Sequence, residues 1–167
     1  MPEVLTHRYD PAVGPCPNIC ALSDFEASTV LDRLRRTSRP TLKPGYLARR
    51  RLTEQWLADA ASSVLKRNFG QVQGYFFLGD FSYGLDESRP SALIVPLPTL
   101  PPDAITFTLG DSMSIVERRV YSLDEVCHLF RTGESLADFG FSDRDGIQKR
   151  FIELQLWERP HFATSFE

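Results

Sequence analysis

The sequence predicts an α+β fold, in which a mixed or antiparallel sheet packs against two N-terminal helices and one short later helix. Three observations carry that reading. Apolar residues recur at helical spacing in two segments before residue 70 and in one short segment after residue 120. From Gly74 onward most other apolar residues fall into short runs or strict alternation, which marks strands. A length of 167 residues with 42% hydrophobic and 25% charged side chains suits one globular domain, 1–167, that buries a substantial core. No repeat, low-complexity segment or linker divides it.

The elements follow in order. Residues 1–20 read as an irregular start, with a short strand at Val4 to Tyr9 and an extended Pro-rich run from Pro11 to Pro17. Ser23 and Glu26 have capping-box spacing, and Ala27, Val30, Leu31 and Leu34 then repeat at i, i+3, i+4 and i+7. Pro40 and Pro44 stop this first helix. The second runs from about Tyr46 to Lys66. Its core-facing stripe is expected along Leu52, Trp56, Ala60 and Val64, widened by Leu57, Ala61 and Leu65, with Asn68 and Gly70 as terminators.

Tyr75 to Leu78 is a buried strand closed by Gly79-Asp80, and Ser82 to Pro90 is a polar loop. Ala92 to Leu97 forms a strand that Pro96 restricts to an edge. After a Pro-rich turn, Ile105 to Leu109 alternates as a half-buried strand, and a hairpin with residues 92–97 is the expected pairing. Ser122 and Glu125 cap a short helix carrying Leu123, Val126, Cys127 and Phe130, closed near Gly133. Beyond a polar turn at residues 140–146, Phe151 to Trp157 alternates in the pattern of a strand that Pro160 ends. Ile152, Leu154 and Leu156 face one way, and Phe151, Glu153, Gln155 and Trp157 face the other.

Composition narrows the setting. No stretch approaches the roughly 20 apolar residues of a membrane helix, and the first residues have no charged-then-apolar signal pattern. Three cysteines argue against a secreted disulfide framework, so the expected location is cytoplasmic. The net charge of -3 hides an asymmetry. Eight of the 19 basic residues lie between Arg33 and Thr53, where no acidic residue occurs, which leaves 11 basic against 22 acidic elsewhere. Such a segment suits a phosphate-bearing small ligand or an acidic protein partner, while the acidic body would repel a long nucleic-acid backbone. Arg49, Arg50 and Arg51 cover more than 100° of helical arc, so at least one must lie near the buried edge and needs an acidic, carbonyl or ligand partner.

Among candidate site residues, Glu153 is the most informative. Its strand face is either open to solvent, closed over a structural ion pair, or turned toward a ligand. Cys16 and Cys20 lack a second closely spaced pair among Cys127, His128, His7 and His161, so no metal site is expected. Gly110-Asp111-Ser112-Met113 resembles the Gly-Asp-Ser start of one esterase class. That class has its serine near the N-terminus and a later Asp-x-x-His, and Asp111 and Ser112 are expected here to cap a turn. There is no Gly-rich phosphate loop.

His7 in Thr-His-Arg-Tyr, Tyr75 in Tyr-Phe-Phe-Leu and Glu153 in Phe-Ile-Glu-Leu-Gln occur in an order that resembles small ADP-ribosyltransferase-like domains. The early helix from Ser23 to Arg36 is similar too. The likeness covers three short segments, and the family's Ser-Thr-Ser after a middle strand has no counterpart here. It implies a NAD-binding transferase with a cleft near Tyr75 and Glu153. Glu153 would hold the ribose 2′-hydroxyl, His7 and Tyr75 the nucleotide, and Arg49 or Arg50 the diphosphate. The alternative is a non-catalytic interaction module that docks an acidic protein on segment 33–53.

Overall fold

The computed structural model describes residues 1–15, 18–37, 42–79, 91–115, 118–132 and 151–158. Expectations for Cys16, Arg39, the loop 82–90, the helix end near Gly133, the turn at 140–146, Pro160 and His161 fall outside them.

Among the described residues, five strands and three α-helices form an α+β fold: β1 (Val4–Tyr9), α1 (Asp24–Thr37), α2 (Tyr46–Leu65), β2 (Gly74–Leu78), β3 (Ser91–Pro96), β4 (Ile105–Thr108), α3 (Leu123–Thr132) and β5 (Glu153–Leu156). The strands make one sheet in the order β3-β1-β2-β5-β4, with every neighbouring pair antiparallel. One face carries the larger core, in which Leu5, Phe76, Ile105, Phe107, Leu154 and Leu156 pack with Val126 of α3. The opposite face meets α2 through Leu57, Ala58 and Ala61, which pack with Val72, Tyr75, Val120 and Trp157.

Both capping boxes form. The Ser23 backbone and hydroxyl donate to Glu26 Oε2 at 3.0 and 2.6 Å, and Ser122 and Glu125 repeat the arrangement. Reciprocal bonds of this kind satisfy N–H groups that have no partner inside the helix.

Four expectations need correction. The hairpin between residues 92–97 and 105–109 does not form. β3 pairs with β1 and β4 with β5, so these consecutive strands occupy opposite edges of the sheet. The connection 97–104 folds into two 3-10 turns, and its Leu97 and Leu100 join the larger core, which favours this crossing over a hairpin. Second, β4 is buried along its whole length rather than half-buried, because Thr106 and Thr108 bond to side chains of β5 instead of water. Third, α2 ends at Leu65, with Lys66 in a left-handed conformation (φ 56°), ahead of Asn68 and Gly70.

The fourth correction concerns the face that α2 buries. Its buried residues are Arg50, Thr53, Glu54, Leu57, Ala58 and Ala61, while Leu52 is 63% exposed. The stripe is thus rotated away from the Leu52 line, and its first two turns turn an arginine and a glutamate inward. Leu52→Lys is therefore expected to change stability by less than about 0.5 kcal/mol in urea melts, as for other exposed positions. A loss above about 2 kcal/mol would place Leu52 in the core.

Candidate functional site

Alternation along β5 brings Glu153, Gln155 and Trp157 to the α2 side of the sheet, as the sequence pattern requires. That face is closed, so the solvent-facing reading of Glu153 is overturned. Cross-strand register then builds two rows. Thr108 of β4, Glu153 of β5, Phe77 of β2 and Thr6 of β1 form one, and Thr106, Gln155 and Tyr75 form the next. Phe77 and Phe151 meet edge to face, with ring centroids 4.9 Å apart, beside Glu153.

A cavity of about 260 Å³ opens on this face. Its floor includes Arg50, Tyr75 and Glu153, and Val30, Leu34, Leu42 and Met113 contribute apolar wall. Arg50 is 7% exposed. Its guanidinium carbon lies 3.5 Å from the centroid of the Tyr75 ring, and Nη1 donates to Ser112 Oγ at 3.3 Å. Burial alone would depress the Arg50 pKa, but the nearby Glu153, Tyr75, Tyr46 and Asp111 hold it above the ordinary value. Burial pushes the Glu153 carboxyl upward, and Asp111 adds to this. Arg50 and hydrogen bonds from Ser112 and Gln155 pull in the other direction without cancelling it.

The polar ladder beneath Glu153 has a fixed sense. Trp157 Nε1 can only donate, and it donates to Thr106 Oγ1 at 2.8 Å. Thr106 in turn donates to Gln155 Oε1 at 3.1 Å, which leaves the Gln155 amide nitrogen to donate to Thr108 Oγ1 at 3.0 Å and Glu153 Oε1 at 3.1 Å. Thr108 passes its own proton to the Gly110 carbonyl at 2.9 Å. The Gln155 amide nitrogen also faces the Glu153 backbone carbonyl at 3.5 Å, an acceptor only, and the ladder ends by holding one oxygen of the Glu153 side chain.

A second carboxylate supports the site from α2. Glu54 Oε1 accepts from Asn18 Nδ2 at 2.7 Å and from the Tyr75 hydroxyl at 3.1 Å. Asn18 also donates to the Val72 carbonyl. Burial raises the Glu54 carboxyl, and burial together with Glu54 pushes the Cys20 thiol up to about 12, so this thiol stays protonated.

The structure thus brings Tyr75, Glu153 and Arg50 together. His7 lines the same cavity, but alternation puts its side chain on the Leu5 face, where its ring meets Phe76 edge on at 6.1 Å. Its Nδ1 is 3.2 Å from the Tyr75 carbonyl oxygen, a contact that requires the proton on Nδ1. Arg49 is exposed. Of the remaining basic segment, Arg51 pairs with Asp24 and Arg35 with Asp32, while Arg33, Arg36 and Lys43 are exposed. Asp111 caps its own turn by accepting from the Met113 N–H at 2.9 Å, as expected. Ser112, by contrast, is buried against Arg50.

Glu54 and Asn18 escaped the sequence reading. The signal for Glu54 was its i+4 spacing from Arg50 and its i−3 spacing from Leu57, a stripe hidden by the more hydrophobic Leu52 line. Asn18 carried no comparable signal. Among the described residues, no group of three His, Cys, Asp or Glu side chains could hold a metal ion, and no helix is long and apolar enough to cross a membrane. No family model, curated protein or solved structure matches the chain.

Proposed function

We propose that the chain is an enzyme acting on a small molecule that bears an oxyanion, with Arg50 as the anion anchor and Glu153 as the acid–base group. The observation that carries this reading is the state of Arg50. A guanidinium has five N–H donors, and among the described residues this buried one uses a single donor, on Ser112. A buried cation with most donors uncommitted is costly unless something completes its hydrogen bonds. Its guanidinium carbon lies over the Tyr75 ring, and a guanidinium is a planar fork of the kind that suits carboxylate or phosphate groups. Beside it stands a carboxyl that burial holds above the usual range, which suits it better than an ordinary glutamate to giving or taking a proton.

A thermal-shift screen of small organic and phosphorylated acids against wild type and Arg50→Met tests the anchor. Stabilising compounds should share an anionic head and lose their effect in the variant. Stabilisation by cations alone, or hits indifferent to Arg50→Met, would sink the reading.

A narrower reading makes the substrate NAD and the reaction an ADP-ribosyl transfer. It is favoured by the meeting of Tyr75 and Glu153 on neighbouring strands beside Arg50. It requires Glu153 to be ionised in the complex and Arg50 to release the Tyr75 ring if that ring is to stack on the nucleotide. The assay is nicotinamide release from NAD, run beside calorimetry. A wild-type protein that neither binds NAD nor releases nicotinamide removes the transferase reading and leaves the anion site standing.

A further inference from the structure

The polar groups of the cleft divide by whether their bonding capacity is already engaged. Asp10 accepts from the Ala12 N–H at 2.8 Å and from the Thr37 hydroxyl. Asp111 is held by its own turn, and Asn18 is engaged on both sides of its amide. His7 and Arg8 also have partners. Glu153 accepts from Gln155 and Ser112, and among the buried groups of the described residues the capacity left over belongs to the unused donors of Arg50 and the remaining acceptor edge of Glu153. These two groups share one local charge balance, because Arg50 is the cation that favours the ionised Glu153.

From this geometry we infer that the cleft takes up an organic acid as an anion and a proton together, the anion on Arg50 and the proton on Glu153. The inference rests on the reading of Arg50 as an anion anchor. An oxyanion placed on the guanidinium competes with the Glu153 carboxylate for the same positive charge in a dry site, where like charges cannot remain close unneutralised. Protonation removes the conflict and turns Glu153 from an acceptor into a donor toward the bound anion. Around the pair stand Tyr46 and Glu54 from α2, His7, Arg8 and Asp10 from β1 and the turn after it, Tyr75 from β2 and Asp111 after β4. Glu54 already accepts two hydrogen bonds, and the Tyr75 hydroxyl, pushed up by burial, keeps its proton. Apolar walls at Leu34, Leu42, Met113 and Phe151 suit a ligand whose anionic head carries an apolar body.

The sign follows from linkage. Below the Glu153 pKa of the free protein the proton is already present, and affinity is greatest and flat. Between the free and bound values, affinity falls by about tenfold per pH unit for one proton taken up. Above the bound value it is flat again and weakest.

The test uses benzenesulfonate, which does not titrate in the working range, together with benzoate and phenyl phosphate. Binding is followed by NMR from pH 5 to 8.5, and proton uptake by calorimetry in two buffers of different ionisation enthalpy. Wild type should bind at least one probe, take up close to one proton within the sloping range and lose affinity as pH rises. Glu153→Gln should bind benzenesulfonate with a flat pH profile and no proton uptake, phenyl phosphate being corrected for its own ionisation, and Arg50→Met should not bind. The probe bound tightest distinguishes a carboxylate from a phosphoryl head. Binding without proton uptake across the range, or a slope that survives in Glu153→Gln, overturns the inference and leaves Arg50 as anchor. Failure of all three probes to bind wild type overturns both. The wild-type proton count decides the matter even if a variant does not fold.

Discussion

Arg50→Met is expected to destabilise the protein by about 3 kcal/mol at pH 8 and by only about 1 kcal/mol at pH 5. Methionine fills much of the volume but leaves Glu153 without its compensating cation. Losing one partner of a buried charged pair costs about 3–5 kcal/mol when the survivor must stay ionised. Glu153 has an escape, because burial already raises its pKa and removing Arg50 raises it further. A carboxyl raised in the folded state favours folding fully below its unfolded pKa of about 4.3, and that contribution is lost as pH rises through the folded value. The unfolded value is common to both proteins, so the gap between wild type and variant should open as pH rises through the Glu153 pKa of the folded wild type and stop growing above that of the variant. The remainder at low pH reflects the lost stack on Tyr75, for which about 1 kcal/mol is reasonable. Urea melts at several pH values measure both parts. A penalty independent of pH would show that Arg50 and Glu153 do not share a charge balance.

Gln155→Leu should cost about 2–4 kcal/mol, with a smaller pH dependence than Arg50→Met because Gln155 favours the ionised Glu153 less than Arg50 does. The side chain is 0% exposed and bonds to Thr106, Thr108 and Glu153. Leucine fits the volume but leaves the Thr106 hydroxyl without its acceptor and Glu153 without a donor. Each stranded buried group costs roughly 1–3 kcal/mol. Trp157 keeps its bond to Thr106, so its near-ultraviolet circular dichroism should survive while the melt shifts. A change below about 0.5 kcal/mol would mean that water replaces the amide and the ladder does not hold the site.

The elements of this fold were legible because they follow local rules. Alternation placed Glu153, Gln155 and Trp157 on one face, and capping spacing placed both Ser-Glu boxes. Pairing was less legible. Ala92 to Leu97 and Ile105 to Leu109 look like hairpin partners because they are close in sequence, but burial of Leu97 and Leu100 depends on contacts far along the chain. Three consecutive arginines require one to lie near the buried edge, but they do not say which face the helix buries. Hydrophobicity favoured Leu52, whereas the site needs Arg50 and Glu54 on the buried stripe. Reading polar residues as outward fails where a helix supplies chemistry to a sheet.

The sheet order has a consequence for how the chain matures on the ribosome. The strand that emerges last of the five, β5, lies between β2 and β4 and bonds to both. Until residue 156 has cleared the exit tunnel, β4 has no place in the sheet and β2 has one open side. Synthesis at about 5–20 residues per second leaves this incomplete sheet exposed for seconds, with unpaired edges that invite aggregation. The nascent chain therefore gains its cleft only once β5 has emerged rather than progressively, and shortened products ending before Glu153 should be substrates for chaperones and proteases.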